Sequence, residues 1–541
     1  MKKKCARSLA LLLCCVMFVT IMACSKPSNP ANPSNSANPT NSNASNTTPG
    51  KETPAGTPVS ARDTLTVAVS QDSGTLLPNG MSQLWLPSVG RMLCEPLWDY
   101  NADGEIVYIL AESVDGWDGT VWTIHLRQGV YFSNGGELTA EDIGFSIKWA
   151  KDYVAGQYRE FNLDKSRIID KYTYELVLDP YGYAPQFGAS QLFIYDSETF
   201  DPDDFVMNPI GTGPYVKDEY VVNSHLNLKA REDYWGGAPR IKNLHFKVFN
   251  EDAQKINALQ TGQVDVLAPI PSQEIEFAQT IPGYEVITYS NRTAPNLTFN
   301  FDARSPMSTL DARLAVSYAI DTNAVINLVY FGHASPNPYP ISVHCRELEP
   351  ALLEMVHETV YPTARDVEKA KAYAESAGLV GKEIRVVTNG TPAYVTTAEI
   401  VQANLKDIGV NVVIDNYDAA SYTDVAKDPT RFDILVTATG SPSGLANSMF
   451  SNYVMWYPTR YEGGIWDGYK DYLLLAQTVM STPSAAERQE MLYKISRQFM
   501  DNMLWFALCE LDSSIAVNSE LGDVRLWNNG NLRFNEWYWK S

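Results

Sequence analysis

Three groups of residues in this chain have types and spacings that could do chemistry. Gly211-Thr212-Gly213-Pro214 has the composition of a phosphate cradle, but it lacks the following Lys and helix start that would aim backbone N–H groups at an anion. It reads instead as a tight turn in which glycine permits unusual backbone angles. His333, His344 and His357 share one stretch and could converge on a metal, yet no H-x-H or H-x-x-x-H pair anchors such a site. Carboxylate pairs of the kind that hydrolyse glycosides cannot be singled out among 63 Asp plus Glu. No G-x-x-x-x-G-K-[ST], G-x-G-x-x-G, H-E-x-x-H or G-x-S-x-G is present. The search for catalytic constellations thus returns little, and no catalytic residue, metal ligand or cofactor is expected.

One cysteine does have a chemical context. Lys2, Lys3, Lys4 and Arg7 precede an apolar run from Leu9 to Met22, which is too short for a membrane-spanning helix of about 20 residues and ends in Ile21-Met22-Ala23-Cys24. This resembles the bacterial lipobox, which implies cleavage after residue 23 and lipidation of Cys24. Ser25 to Pro58 is almost wholly Ser, Asn, Pro, Thr, Ala and Gly. Such a segment cannot bury enough apolar surface to offset its ordering entropy, so residues 24–60 read as a flexible tether. Loss of residues 1–23 removes three Lys and one Arg, taking the formal charge from -21 to -25. That balance excludes a nucleic-acid partner, because no Lys/Arg cluster follows residue 7 to displace phosphate counterions. Of seven cysteines, Cys5, Cys14 and Cys15 leave with the signal. Cys94, Cys345 and Cys509 then read as buried small hydrophobes more readily than as a disulfide framework, one bridge among them remaining open.

The elements that must position any site are mixed α/β. Thr64 to Val69 and Val121 to Leu126 alternate at period two, as half-buried strands do. Capping-box spacings at Thr396/Glu399 and Ser484/Glu487, and a weaker one at Thr363/Asp366, predict helix starts. Val401, Leu405 and Ile408, then Met491, Ile495 and Phe499, fall on single helical faces. Gly378 and Gly409 stand where helices should end. A strand at 384–388, a helix at 397–408 and a strand at 410–414 predict a βαβ unit with parallel pairing. No repeat of 20–50 residues suggests a solenoid.

Three blocks carry a resemblance. The first runs from Leu110-Ala111-Glu112-Ser113 through Leu126-Arg127-Gln128-Gly129-Val130-Tyr131-Phe132-Ser133-Asn134-Gly135 to Leu138-Thr139-Ala140-Glu141-Asp142-Ile143 and Phe145-Ser146. The second joins Pro209-Ile210-Gly211-Thr212-Gly213-Pro214-Tyr215, Asp233-Tyr234-Trp235-Gly236-Gly237-Ala238-Pro239 and Ala258-Leu259-Gln260-Thr261-Gly262-Gln263-Val264-Asp265-Val266. The third is Asp311-Ala312-Arg313-Leu314-Ala315-Val316-Ser317-Tyr318-Ala319-Ile320-Asp321. In order and separation they resemble the extracytoplasmic solute-binding proteins of ABC importers, in the family that includes oligopeptide- and dipeptide-binding proteins. From the residues alone the blocks look like scaffold: Thr139 should cap a helix whose first turn holds Asp142, and Asp321 should cap the helix carrying Val325, Leu328 and Val329 and ending near Gly332.

The resemblance implies an α/β, two-lobed periplasmic-binding-protein fold of type II with an extra subdomain in the first lobe. The first lobe is expected in residues 61–95, 206–292 and 509–541, the subdomain in 96–205 and the second lobe in 293–508. It also implies capture of a peptide-like ligand by hinge closure and delivery to an ABC permease, by a monomer held outside the cytoplasm through the lipid on Cys24. Peptide-binding relatives usually carry an acidic residue just after the strand corresponding to Phe432-Asp433-Ile434-Leu435-Val436. This chain has Ala438-Thr439-Gly440-Ser441-Pro442-Ser443 there, and Glu510 is the candidate replacement. Gln83, Trp85, Thr439, Ser441, Tyr453, Trp456 and Glu510 are the expected ligand-binding residues. Aromatic faces with hydroxyl and amide neighbours suit peptide side chains or sugar rings, so an oligosaccharide is the alternative ligand. Nickel or haem-type ligands, a non-transport surface receptor and an exported hydrolase are the remaining alternatives.

Overall fold

The computed structural model describes residues 62–81, 89–101, 105–117, 119–153, 158, 160–179, 185–344, 354–440, 468–480, 482, 485–527 and 530–540. The alternation at the start of the described chain does form a strand, β1 (Thr64–Val69), with Leu65 and Val67 buried. The next strands are β2 (Trp98–Tyr100) and β3 (Ile106–Tyr108), a short antiparallel pair. Then β4 (Ala111–Asp115), β5 (Val121–Leu126), β6 (Phe161–Asp170) and β7 (Thr173–Leu178) form their own antiparallel sheet in the order β4-β5-β7-β6. The helix Ala140–Tyr153 buries Ile143 and Ile147 in the core of this unit. That core contains Trp98 and Trp122, with Trp117 packed against both of them. A separate sheet with a separate core is what makes this stretch an extra subdomain.

The principal sheet takes β1 and eleven further strands: β8 (Tyr215–Val221), β9 (His225–Ala230), β10 (Asn243–Val248), β11 (Val266–Leu267), β12 (Tyr284–Phe299), β13 (Ala334–Ser335), β14 (Glu383–Thr388), β15 (Asn411–Asn416), β16 (Ile434–Gly440), β17 (Trp505–Ala507) and β18 (Glu510–Asn518). Its order is β15-β14-β16-β12-β18-β11-β1-β10-β9-β8, with β13 on β18 and β17 on β12. β1 is parallel to β10 and β11, and β14 is parallel to β15 and β16. Among the described residues, two groups of strands are thus joined in the sheet through the antiparallel pair β12 and β18. β12 is bulged between Ser290 and Thr293, where Arg292 takes a positive φ of 53°. Below the bulge it pairs with β18 and above it with β16, so one strand serves both halves.

The βαβ unit forms, with its helix displaced. The helix is Pro392–Lys406, beginning five residues before the expected 397 with Pro392 in its first turn. Proline already satisfies the helix start there, so Thr396 lies inside the helix and caps nothing. Asp366, not Thr363, caps Val367–Ser376 by accepting from Lys369 N–H. Asp321 caps as expected, accepting from Ala324 N–H, and the helix continues through a π-helical turn at Val325–Val329 to Gly332. At the subdomain helix the roles reverse. The Thr139 hydroxyl and N–H both donate to Asp142 Oδ2, whose second oxygen accepts from Ser197 N–H. Gly378 and Gly409 have the positive φ of helix ends. The Ser484 cap lies outside the described residues.

The Gly211-Thr212-Gly213 turn corrects its first reading: neither glycine has a positive φ. A Cβ on Gly211 would sit 2.2 Å from Leu93 O, and one on Gly213 2.4 Å from Met92 O. Glycine is needed there for backbone-to-backbone approach, where the turn seats Arg91–Cys94 against the subdomain through Gly213 N–H to Leu93 O and Ser133 N–H to Gly211 O. Beside this junction lie a buried Arg91–Asp99 pair at 2.6 Å and a buried Glu95 that accepts from Tyr234 and Trp235.

Candidate ligand-binding site

Strand directions locate the cleft. β12 is antiparallel to β18, β18 to β11, and β11 is parallel to β1, so β1, β10 and β11 run in the same sense as β12, toward the second group. β16 is antiparallel to β12 and parallel to β14, so β14, β15 and β16 run back toward the first group. The carboxyl ends of both parallel sets therefore face each other, and in open α/β sheets ligands bind outside such ends. On the β12 register the first group reaches Thr288, opposite Ser514, whose carbonyl accepts from Ile270 N–H. The second group ends at Thr293, opposite Gly440. The bulge takes up two of the five β12 steps; on β18 the interval runs from Ser514 to Leu511, three residues or roughly 10 Å at about 3.3 Å per residue, the length of a short extended ligand.

The floor of that interval is β12 from Thr288 to Thr293 beside β18 from Glu510 to Ser514, and it is unusually polar for a central strand pair. Thr288 Oγ1 lies 2.8 Å from Ser514 Oγ, and Asn291 Nδ2 donates to Ser513 Oγ at 3.3 Å. Asn291 Oδ1 accepts from Thr293 N–H and Ser290 Oγ from Arg292 N–H, which fixes the bulge. On the first wall, the buried Lys255 reaches Ser70 Oγ (2.9 Å) and Asp252 (2.6 Å) just past the end of β1. On the second wall, Thr388 Oγ1 donates to Asn416 Oδ1 at 2.7 Å, joining the carboxyl ends of β14 and β15.

Two expected site residues fall here together. Thr439 pairs with Ala294 and its hydroxyl accepts from the buried Asn296 Nδ2 at 2.9 Å. Glu510 stands on the other side of the same part of β12, one residue before Leu511, the partner of Thr293. It is wholly buried. Its carboxylate accepts from Ser342 and Ser290 on Oε1 and from Asn337 Nδ2 on Oε2 at 3.3 Å. Burial pushes its pKa up to about 7 and the nearby Asp512 adds to this, while the Ser342 and Ser290 donors oppose it. Asp512, half-buried opposite Ser290, is also raised by burial, with His344 pulling the other way. Sequence reasoning missed Asp512, Asn291, Ser513 and Thr388. The available signal was polarity inside strands that the sheet order makes central: Ser290-Asn291-Arg292-Thr293 and Asp512-Ser513-Ser514.

Gln83, Trp85, Ser441, Tyr453 and Trp456 lie outside the described residues, as do Cys24 and Cys345. The three histidines are not brought together: His333 is buried, His344 lies near Asp512, and His357 sits in the short turn Met355–Glu358. Among the described residues no group of three or more His, Cys, Asp or Glu side chains is placed to hold a metal ion. Cys94 and Cys509 are free and buried, and burial raises both thiols. No described helix is long and apolar enough to cross a membrane.

Two strand groups sharing a pair of crossover strands, with facing carboxyl ends and a third unit inserted in the first, define a two-lobed binding protein of the type II periplasmic fold. Residues 105–459 match the model of the bacterial extracellular solute-binding proteins, family 5, and the chain belongs to that family of ABC-importer components. It is 25% identical over 505 residues to the nickel-binding periplasmic protein of Escherichia coli, covering 86% of this chain and 92% of that one. It is 26% identical over 422 residues to the E. coli dipeptide-binding protein, covering 71% and 76%. A putative peptide binding protein, AppA, from Clostridium difficile superposes with a TM-score of 0.76 at 19% identity, over 88% of this chain and 99% of that one. NikA from Brucella suis, in complex with Fe(III)-EDTA, also gives 0.76, at 21% identity and the same coverage. The matched family is one of extracellular solute-binding proteins.

Proposed function

We propose that this protein is a lipid-anchored receptor that captures a short peptide carrying a free amino group, by closure of two lobes about β12 and β18, and delivers it to an ABC permease. The lobes are 61–95, 206–292 and 509–541 for the first, with 96–205 as its subdomain, and 293–508 for the second. Lipid on Cys24 and the tether to residue 60 keep a monomer near its permease, and diacylation gives the second chain that stable anchoring needs. Ligand contacting both lobes favours the closed form by its differential affinity.

The observation that supports a peptide is the floor itself. An extended main chain finds hydroxyl and amide partners at Thr288, Asn291, Ser513 and Ser514, and its ammonium finds the half-buried Asp512 carboxylate on β18, where Ala438 to Ser443 offer none. The dipeptide-binding relative fits this reading. The greater overlap with the nickel-binding relative supports a second one, a chelated metal.

A thermal-shift screen of the tethered chain against short peptides, N-acetylated peptides, oligosaccharides and metal chelates tests both. Ligand at about 100 times its dissociation constant adds roughly 2.7 kcal/mol to the native state. Stabilisation by free but not N-acetylated peptides is expected. Stabilisation only by sugars or chelates would refute the peptide reading.

A further inference from the structure

We propose that Glu510 is a positioning residue of the hinge, a titratable latch whose carboxylate joins both crossovers to the 337–344 segment of the second lobe, so that the preferred lobe arrangement depends on pH. The proposal deepens the two-lobe reading above, and it does not depend on what the ligand is.

The geometry is that of a knot between three pieces of chain. Glu510 begins the second crossover, and Ser290 sits at the bulge of the first. Asn337 and Ser342 belong to the segment after β13, whose Ala334 and Ser335 pair with Leu511 and Glu510. Asn337 also donates to Ile341 O at 3.0 Å and Ser342 Oγ accepts from His344 N–H at 3.2 Å, so the segment is folded around the carboxylate. Among the described residues, Asp512 and the buried Cys509 on its own strand act on it electrostatically; His344 on the segment acts on Asp512, and Arg292 follows Ser290 by two residues on β12.

Rotation of one lobe must move Ser290 and the 337–344 segment relative to each other, and the carboxylate between them then meets water. Sealed, it titrates near 7; hydrated, near its ordinary 4.5. Proton binding therefore favours the packed latch. As pH rises from 5 to 8, the ratio of packed to hydrated latch falls by up to roughly 10²-fold, the limit set by the two titration points.

The test uses ligand-free mature protein, with amide exchange of segments 284–299, 337–344 and 505–518 measured from pH 5 to 8 and corrected for the intrinsic pH dependence of exchange. Wild type should lose protection in all three segments together as pH rises from 5, with the loss levelling off near 7. Glu510→Gln should flatten the profile and His344→Gln should keep it. Ser342→Ala, which removes a donor that favours the charged form, should move the pH at which the loss levels off upward even if Glu510→Gln fails to fold. A flat wild-type profile, a step that survives Glu510→Gln, or one abolished by His344→Gln would overturn the proposal. A negative ligand screen beside an intact pH step would sink the peptide reading and leave the latch standing.

Discussion

Gly211→Ala tests whether the glycine motif that looks like a phosphate cradle is a contact between backbones. The added Cβ would meet Leu93 O at 2.2 Å, Cys94 Sγ at 2.8 Å and Leu93 C at 3.1 Å. Ordinary contact needs more than 3.4 Å, so the turn must retreat by over 1 Å from rigid main chain. Retreat strains or breaks Gly213 N–H to Leu93 O (3.1 Å) and Ser133 N–H to Gly211 O (2.9 Å), and it disturbs the Arg231 contact to Gly211 O. Overpacking costs about 1–3 kcal/mol and each lost hydrogen bond about 1 kcal/mol, so the expected loss is about 2–5 kcal/mol. Urea unfolding followed by tryptophan fluorescence measures the loss, and Trp98, Trp117 and Trp122, which cluster in the subdomain that this turn holds, contribute to the signal. Gly74→Ala is the control: Gly74 has a φ of +68° and open space around its Cβ, so only the backbone conformation is penalised, by about 1 kcal/mol. Equal small losses for the two variants would refute the close-approach argument.

Asp99→Asn leaves the buried Arg91 guanidinium without its counter-charge and should cost about 3–5 kcal/mol in the same assay. Asn296→Ala removes the side chain that holds Ala294 O, Thr439 Oγ1 and Thr298 Oγ1 inside the first crossover, with an expected loss of about 2–3 kcal/mol measured by urea unfolding and faster amide exchange at 434–440. Asp302 is held down at about 2 by the Arg304 guanidinium. A carboxyl with a depressed folded pKa contributes stability above its ordinary 3.8 and loses it as pH falls through about 2. Arg304 is 68% exposed, so screening leaves at most about 1 kcal/mol; Asp302→Asn should lower the melting temperature at pH 7 and leave it unchanged near pH 1.5.

The scaffold was legible where structure is local. Period-two alternation marked β1 and β5, the strand–helix–strand order marked β14 and β15, and Asp321 marked a helix start, because each depends on neighbours a few residues away. The errors were also local in kind. Two side chains competed for one helix end, so Asp366 displaced Thr363 and Pro392 displaced Thr396.

The site was legible only in part because its residues are joined by register rather than by motif. Glu510 was singled out from the absence of an acid after Val436, an argument about charge that holds at any distance. Asp512, Asn291 and Ser513 become a site only once the bulge at Ser290/Thr293 sets which part of β12 lies between the two lobes. A one-residue slip in that pairing would turn Glu510 away from Ser290 and expose Leu511 in its place. The polar crossover residues therefore do two jobs at once: they satisfy buried strands in which Tyr289 and Leu511 supply the apolar packing, and they leave hydroxyl and amide groups along the interval where a ligand would lie. That double demand explains why the chain places Ser, Thr and Asn, rather than Val and Ile, in the two strands most central to its sheet.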